Sequence, residues 1–162
     1  MKARDIGLTI GRLPSGALDN LADVPGVRVG HATIDNARHK TGVTVVLPCA
    51  ENPFTNKSVA ASFVLNGFGK TLGLVQVDEL GTLETPIALT NTLNVGIVHD
   101  ALVEYTLRRC EAEGIAVIAS WTDTRIAGTA IGFCCPFSCV TCHIIYITLH
   151  IFCFLIICSC CC

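Results

Sequence analysis

The chain has 162 residues, room for one ordinary domain, and a formal net charge of -2. That balance excludes the basic surface that nucleic-acid binding needs, and equally an acidic solvating tail. Composition is uneven: every Asp, Glu, Lys and Arg lies at or before Arg125, and nine of the eleven cysteines follow it.

Along the chain, MKARDIGLTIGRLPSGALDN holds no apolar run of secretory length. Only Cys49 and Cys110 precede the tail, too few for a disulfide framework, so a cytoplasmic location is expected. A turn at Pro25-Gly26 opens an alternating run, Val27, Val29, His31 and Thr33, that predicts a strand. TGVTVVLP predicts a second, its near-continuous β-branched residues suited to burial on both faces. ENPFTNK reads as a polar loop and VAASFVL as a third strand. GLVQVDELG mixes strand and turn signals, while PIALTNT reads as a strand closed by polar residues.

A helix is predicted from Asn94, a good N-cap residue, with Val95, Val98, Leu102 and Tyr105 along one apolar face. Glu104 and Arg108 stand four apart in the favourable order, and Gly114 fits a C-cap. IAVIAS then resumes as a strand. Strands first and a helix next predict a mixed α/β domain without internal repeats.

Several motifs invite chemistry. Asn66-Gly67-Phe68-Gly69-Lys70-Thr71 is not a phosphate loop, because Val64 stands where the first glycine is required. It is not a dinucleotide fingerprint either, because Leu72 replaces the third glycine, so a tight turn is expected. Asp78, Glu79 and Glu84 gather three carboxylates around Gly81, able in principle to orient substrate or exchange protons. Such a cluster is more commonly an exposed acidic turn. Thr90-Asn91-Thr92 offers amide and hydroxyl donors for an oxyanion or, more commonly, helix capping.

In the tail, Cys139-Val140-Thr141-Cys142-His143 matches the c-type haem attachment spacing. A cysteine-rich segment produces that pattern by chance, attachment requires export, and Met1 is the only methionine; His150 alone could serve as second ligand. The cysteines and histidines form no paired zinc knuckles, so neither metal nor cofactor is expected. Residues 140–158 form an apolar window of roughly the 20 residues that span a bilayer, weakened by two histidines and two threonines.

The stretches GRLPSGALDNLADVPGVRVGH, VLNGFGKTLGLVQVDELGTLETPIALTNTLNVG and HDALVEYTLRR closely resemble the DmpA-type aminopeptidases. These form the L-aminopeptidase/D-alanine-esterase/amidase family, self-processing relatives of the N-terminal-nucleophile hydrolases. The similarity runs from about Asp5 to about Ala116. It implies an α/β (α+β) chain forming part of a four-layer αββα sandwich. It further implies a precursor that cuts itself, exposing an N-terminal serine whose own amine serves as base. Substrates implied are small peptides, amides and esters, handled without metal by a homo-oligomer.

The resemblance places the nucleophilic serine beyond the residues present here. Ser58, Ser62, Ser120, Ser138 and Ser159 stand in unrelated patterns, and neither Tyr105 nor Tyr146 belongs to the family's asparagine-aspartate-glycine-tyrosine block. Residues 1–125 are therefore expected to be the first part of an α-subunit, incomplete and inactive alone. Residues 126–162 read as a foreign tail, such as out-of-frame translation would give, without the turn chemistry to finish a sheet. Asn66, Glu79, Glu84, Thr90 and Asn91 are the polar residues expected to face the substrate pocket. The alternative is a non-catalytic protein tethered to a membrane through residues 140–158.

Overall fold

The alternating run after Pro25-Gly26 forms β1 (Arg28–Asp35), and the β-branched run forms β2 (Lys40–Leu47). They pair antiparallel from Arg28↔Leu47 to Asp35↔Lys40. Asn36 closes the hairpin, its Oδ1 accepting from the N–H groups of Arg38 and His39 at 2.9 and 2.8 Å, the local bonding that favours Asn in turns. The computed structural model describes residues 3–8, 11–64, 69–117, 129–133 and 153–158.

Further along lie β3 (Ser58–Val64), β4 (Lys70–Leu72), α1 (Leu74–Leu80), β5 (Thr82–Leu83) and β6 (Ile87–Asn91). They are followed by α2 (Val95–Ala112), β7 (Thr129–Phe133) and β8 (Cys153–Cys158). One sheet has the order β1-β2-β6-β7-β4 and the other β5-β3-β8. Among the described strands only the β6–β7 pairing is parallel.

Alternation along β2 and β6 separates the layers, since successive side chains leave opposite faces of a sheet. Val46, Ile87 and Leu89 join Ala60, Val77 and Leu83 in the core shared with β3, β5 and α1. Ala88 turns the other way, to Val95 and Leu102 of α2, with Val43, Val45 and Val98 partly buried beside them. The order is thus α2, five-stranded sheet, three-stranded sheet, with α1 against β3 and β5.

Burial of β2 on both faces does not hold: Thr44 and Val46 are buried, whereas Val43, Val45 and Leu47 are half-buried. The reason is that α2 packs over β4, β6 and β7, leaving the β1–β2 end of that face less covered.

GLVQVDELG also departs from its mixed reading. Leu74–Leu80 is helical, bounded by Gly73 and Gly81 at φ 85° and 66°. Those left-handed backbones favour glycine and let the chain enter and leave one short helix between strands.

Asn94 occupies the N-cap of α2 but makes no side-chain cap bond. Asn91 supplies that function, its Oδ1 accepting from Leu93 and Asn94 N–H at 3.1 and 3.2 Å. Gly114, at φ 70°, follows the helix as expected. Residues 115–117 lack regular structure, and the rest of IAVIAS lies outside the described residues.

Two strands come from the segment whose sequence lacks the signals to finish a sheet. β7 sits between β6 and β4, and β8 pairs with β3 from Val59↔Cys158 to Val64↔Cys153. Strand pairing is made by main-chain N–H and C=O groups, so it does not require a polar face. The Cys139–His143 motif and most of the 140–158 window lie outside the described residues. No helix among the described residues is long and apolar enough to cross a membrane.

Candidate functional site

Glu84 stands at the β5–β6 connection, in the consecutive buried run Leu83-Glu84-Thr85-Pro86. Leu83 and Ile87 both enter the core between the sheets, which draws the intervening segment inward. The Glu84 side chain is only 5% exposed. A carboxylate so placed needs partners for its charge and lone pairs. Gln76 of α1 donates through Nε2 to Glu84 Oε1 at 2.6 Å, and Lys57 Nζ, just before β3, lies 2.8 Å from Oε2. Three elements thus converge on one anion.

The other acidic residues differ. Glu79 is exposed on α1, and Asp78, also exposed, accepts from Ser62 Oγ at 2.5 Å. Seven residues of sequence contain the carboxylates, yet only Glu84 is carried inside, because α1 turns Asp78 and Glu79 outward while the β5–β6 connection turns inward.

Thr90 and Asn91 lie at the far end of β6 from Glu84. From Ile87 to Thr90 alone the strand advances roughly 10 Å at 3.3 Å per residue. Thr90 Oγ1 donates to the Gly42 carbonyl at 3.3 Å, and Asn91 Nδ2 donates to Thr41 Oγ1 at 2.8 Å. Gly42 is needed there: a Cβ would sit 2.5 Å from the Ala32 carbonyl oxygen. These residues tie β6 to β2 and start α2. The structure therefore separates Glu84 from the Thr90–Asn91 pair, and Asn66 lies outside the described residues.

A polar centre that the sequence pattern does not single out lies in ENPFTNK. Asn52 is buried, and its Nδ2 reaches Glu113 Oε2 at 2.9 Å and Cys110 Sγ at 3.5 Å. Its Oδ1 accepts from Phe54 N–H at 3.1 Å. Arg109 donates to the Ala50 carbonyl at 3.2 Å and to Glu113 Oε1 at 3.2 Å. The loop leading to Lys57 is thereby clasped to the end of α2. The bond from Asn52, then that from Arg109, holds the Glu113 carboxyl below its usual range. Burial pushes the Cys49 thiol up, against an opposing hydrogen bond from Ser58. The Asn52-Pro53 dipeptide was the available signal, since that pair favours turns, but nothing local announces the reach to α2.

A groove of about 480 Å³ opens between the β1–β2 hairpin and α2, with Val29, Val45, Leu47, Ile97 and Tyr105 among its walls. Its lining is aliphatic apart from Arg28 and Tyr105, and Glu84 is not part of it. It holds no nucleophile or acid–base pair, so the chemistry points to Glu84 instead. Among the described residues, no three His, Cys, Asp or Glu side chains gather to hold a metal.

A helix over two stacked sheets, with a second helix on the inner pair, is the αββα-like arrangement of the N-terminal-nucleophile-type peptidases. Peptidase family S58 matches residues 19–129, and the chain belongs to that family of serine aminopeptidases. The match runs past Ala116 and includes the first residue of β7. The β-peptidyl aminopeptidase BapA of Sphingosinicella xenopeptidilytica is 35% identical over 139 residues, covering 77% of this chain and 34% of the relative. The PH0078 protein of Pyrococcus horikoshii superposes with TM-score 0.69 at 39% identity, over 82% of this chain and 38% of that one. The L-aminopeptidase D-Ala-esterase/amidase of Ochrobactrum anthropi, a prototype serine aminopeptidase, gives TM-score 0.65 at 27% identity, over 81% of this chain and 37% of its own. The chain thus spans about a third of the length of the curated relative.

Proposed function

We propose that this chain forms the substrate-amine-binding part of an S58 serine aminopeptidase, with Glu84 receiving the free N-terminal ammonium of a small peptide, amide or ester. The observation that carries the reading is the buried Glu84 carboxylate, already compensated by a cation at 2.8 Å. An aminopeptidase must distinguish a free amine from an internal amide. A desolvated carboxylate does so, because an acylated nitrogen brings no charge to offset it. Glu79, exposed on α1, and Thr90 and Asn91, bonded into the β2–β6 end of the sheet, have supporting roles in this reading.

Bond cleavage belongs to the serine-bearing region of the family, so the chain does not turn over substrate by itself. Among the described serines, Ser15 is exposed, Ser62 donates to an exposed carboxylate and Ser58 hydrogen-bonds toward Cys49. Neither pairing is a hydroxyl activated by a neutral base that a third group orients.

The test places this chain's residues 5–129 in BapA from Sphingosinicella xenopeptidilytica in place of the matching segment. Release of p-nitroaniline from α- and β-aminoacyl p-nitroanilides is then measured. The chimera is expected to hydrolyse both substrate types to some degree, and Glu84→Gln to lower kcat/KM about 100-fold, as loss of a desolvated charge pair would. Equal rates for the chimera and its Glu84→Gln variant, or turnover by the isolated chain, would overturn the proposal.

A further inference from the structure

We infer that Lys57 is the resident cation of the Glu84 site, occupying the place of the substrate's ammonium and yielding it when an amine arrives. The inference rests on the reading of Glu84 as the amine receptor and adds a competitor built into the chain. The two members of the pair are unequal. Glu84 is 5% exposed, whereas the Lys57 side chain is 42% exposed, so the lysine reaches inward from solvent to a carboxylate that is itself enclosed.

The carboxylate is held from two sides. Gln76 fixes Oε1 at 2.6 Å, from a helix bounded by two glycine turns, while Lys57 Nζ pairs with Oε2 at 2.8 Å. Removing Lys57 from Oε2 would leave the Gln76 bond in place. The anion therefore stays oriented while its cation exchanges.

Lysine suits such exchange. Its ammonium is a compact charge on a flexible stem, lacking the planar fork with which arginine grips a carboxylate. Holding the long stem in one rotamer costs entropy that opposes the pairing. In the paired position Lys57 Nζ also stands over the Phe54 ring, 6.0 Å from its centroid, at the outer limit of a cation–π contact. The loop carrying both residues is anchored at Asn52, which leaves the side chain rather than the backbone as the moving part.

A primary ammonium from a substrate has the same charge and the same three donors as Lys57 Nζ. Binding is then a swap of one ammonium for another, and apparent affinity is the intrinsic affinity multiplied by the fraction of time that Lys57 is away from Glu84. Selection for free amines follows from the same geometry, since only a cation can replace a cation beside a buried carboxylate.

The experiment titrates the full chain with β-alanine amide and alanine amide, and with their N-acetyl forms as uncharged controls, following binding by NMR chemical shifts. Wild type, Lys57→Met, Lys57→Arg and Glu84→Gln are compared at one pH and ionic strength. Methionine keeps the apolar stem and removes the charge, and the dispersion of amide signals reports whether each variant is folded. Lys57→Met is expected to bind the amines about 10-fold more tightly than wild type. Lys57→Arg is expected to bind them no better, and Glu84→Gln and the acetylated controls to show no binding.

If Glu84→Gln abolishes binding but Lys57→Met leaves it unchanged or weakens it, Lys57 is a positioning residue and this inference falls, while the role of Glu84 stands. If Glu84→Gln binds the amines as wild type does, the reading of Glu84 falls and takes the inference with it. Should Lys57→Met unfold, Lys57→Arg decides: binding tighter than wild type refutes a competitor that arginine would hold more firmly.

Discussion

Replacing Asn52 by alanine should be among the costliest single polar substitutions in this chain. The side chain is 3% exposed and joins the β2–β3 loop to α2. Truncation removes the bond to Phe54 N–H at 3.1 Å and the bond to Glu113 Oε2 at 2.9 Å. The first contributes about 1 kcal/mol, and the buried N–H left behind costs about 1 kcal/mol more. The second runs to Glu113, whose carboxyl faces water and is screened, so the Phe54 bond dominates the loss. The total from the Phe54 side is about 2 kcal/mol, which for an m-value of about 1.5 kcal/mol/M lowers the urea midpoint by roughly 1.3 M. Urea unfolding followed by circular dichroism measures it. Glu113→Ala removes the Asn52 bond and the exposed Arg109 pairing but keeps the Phe54 bond, and should cost less than Asn52→Ala. Asn52→Asp keeps the acceptor for Phe54 but turns an anion toward Glu113, so it should not recover stability. A loss below about 0.5 kcal/mol for Asn52→Ala would refute the idea that this residue clasps the loop.

Three other outcomes follow from the same packing. Leu102, 5% exposed where α2 meets the sheet, should cost about 3 kcal/mol when cut to alanine, read as a shift in thermal midpoint. Glu113 has a carboxyl lowered below its ordinary value near 4.5 by Asn52 and then Arg109. Its contribution is therefore present above the unfolded value and lost as pH falls through the folded one. The urea midpoints of wild type and Glu113→Gln should accordingly differ at pH 6 and converge toward pH 3. Cys49, its thiol raised by burial, should react with iodoacetamide more slowly at pH 8 in the native chain than in urea, as peptide mass mapping would reveal. Native labelling as fast as unfolded labelling would contradict the assigned burial.

Much of the architecture follows from local pattern. The alternation from Val27 to Thr33, the β-branched run ending at Pro48, and VAASFVL and PIALTNT all become strands, because side chains two apart must share a face. Spacing of three and four from Val95 to Tyr105 likewise becomes α2. The segment LVQVDEL was ambiguous because seven residues carry too few turns for a helical period to emerge. Its identity is set by left-handed glycines at both ends and by the burial of Leu74 and Val77.

The site was less legible. Asp78, Glu79 and Glu84 are alike as letters, and a local pattern treats them as one acidic turn. Their difference arises from partners distant in sequence: Lys57 and Gln76 neutralise and orient Glu84, while Asp78 and Glu79 remain at the surface. Asn52 was passed over for the same reason, since its partners lie on α2, about sixty residues away. Side-chain periodicity is a property of neighbouring residues, so the sequence by itself determined where four of the eight described strands and the long helix run, while the family was carried by the resemblance of particular stretches. Burial of a charge depends on which distant groups meet it, and only the packed chain decided that Glu84 is enclosed, that Lys57 pairs with it and that Asn52 holds the loop between.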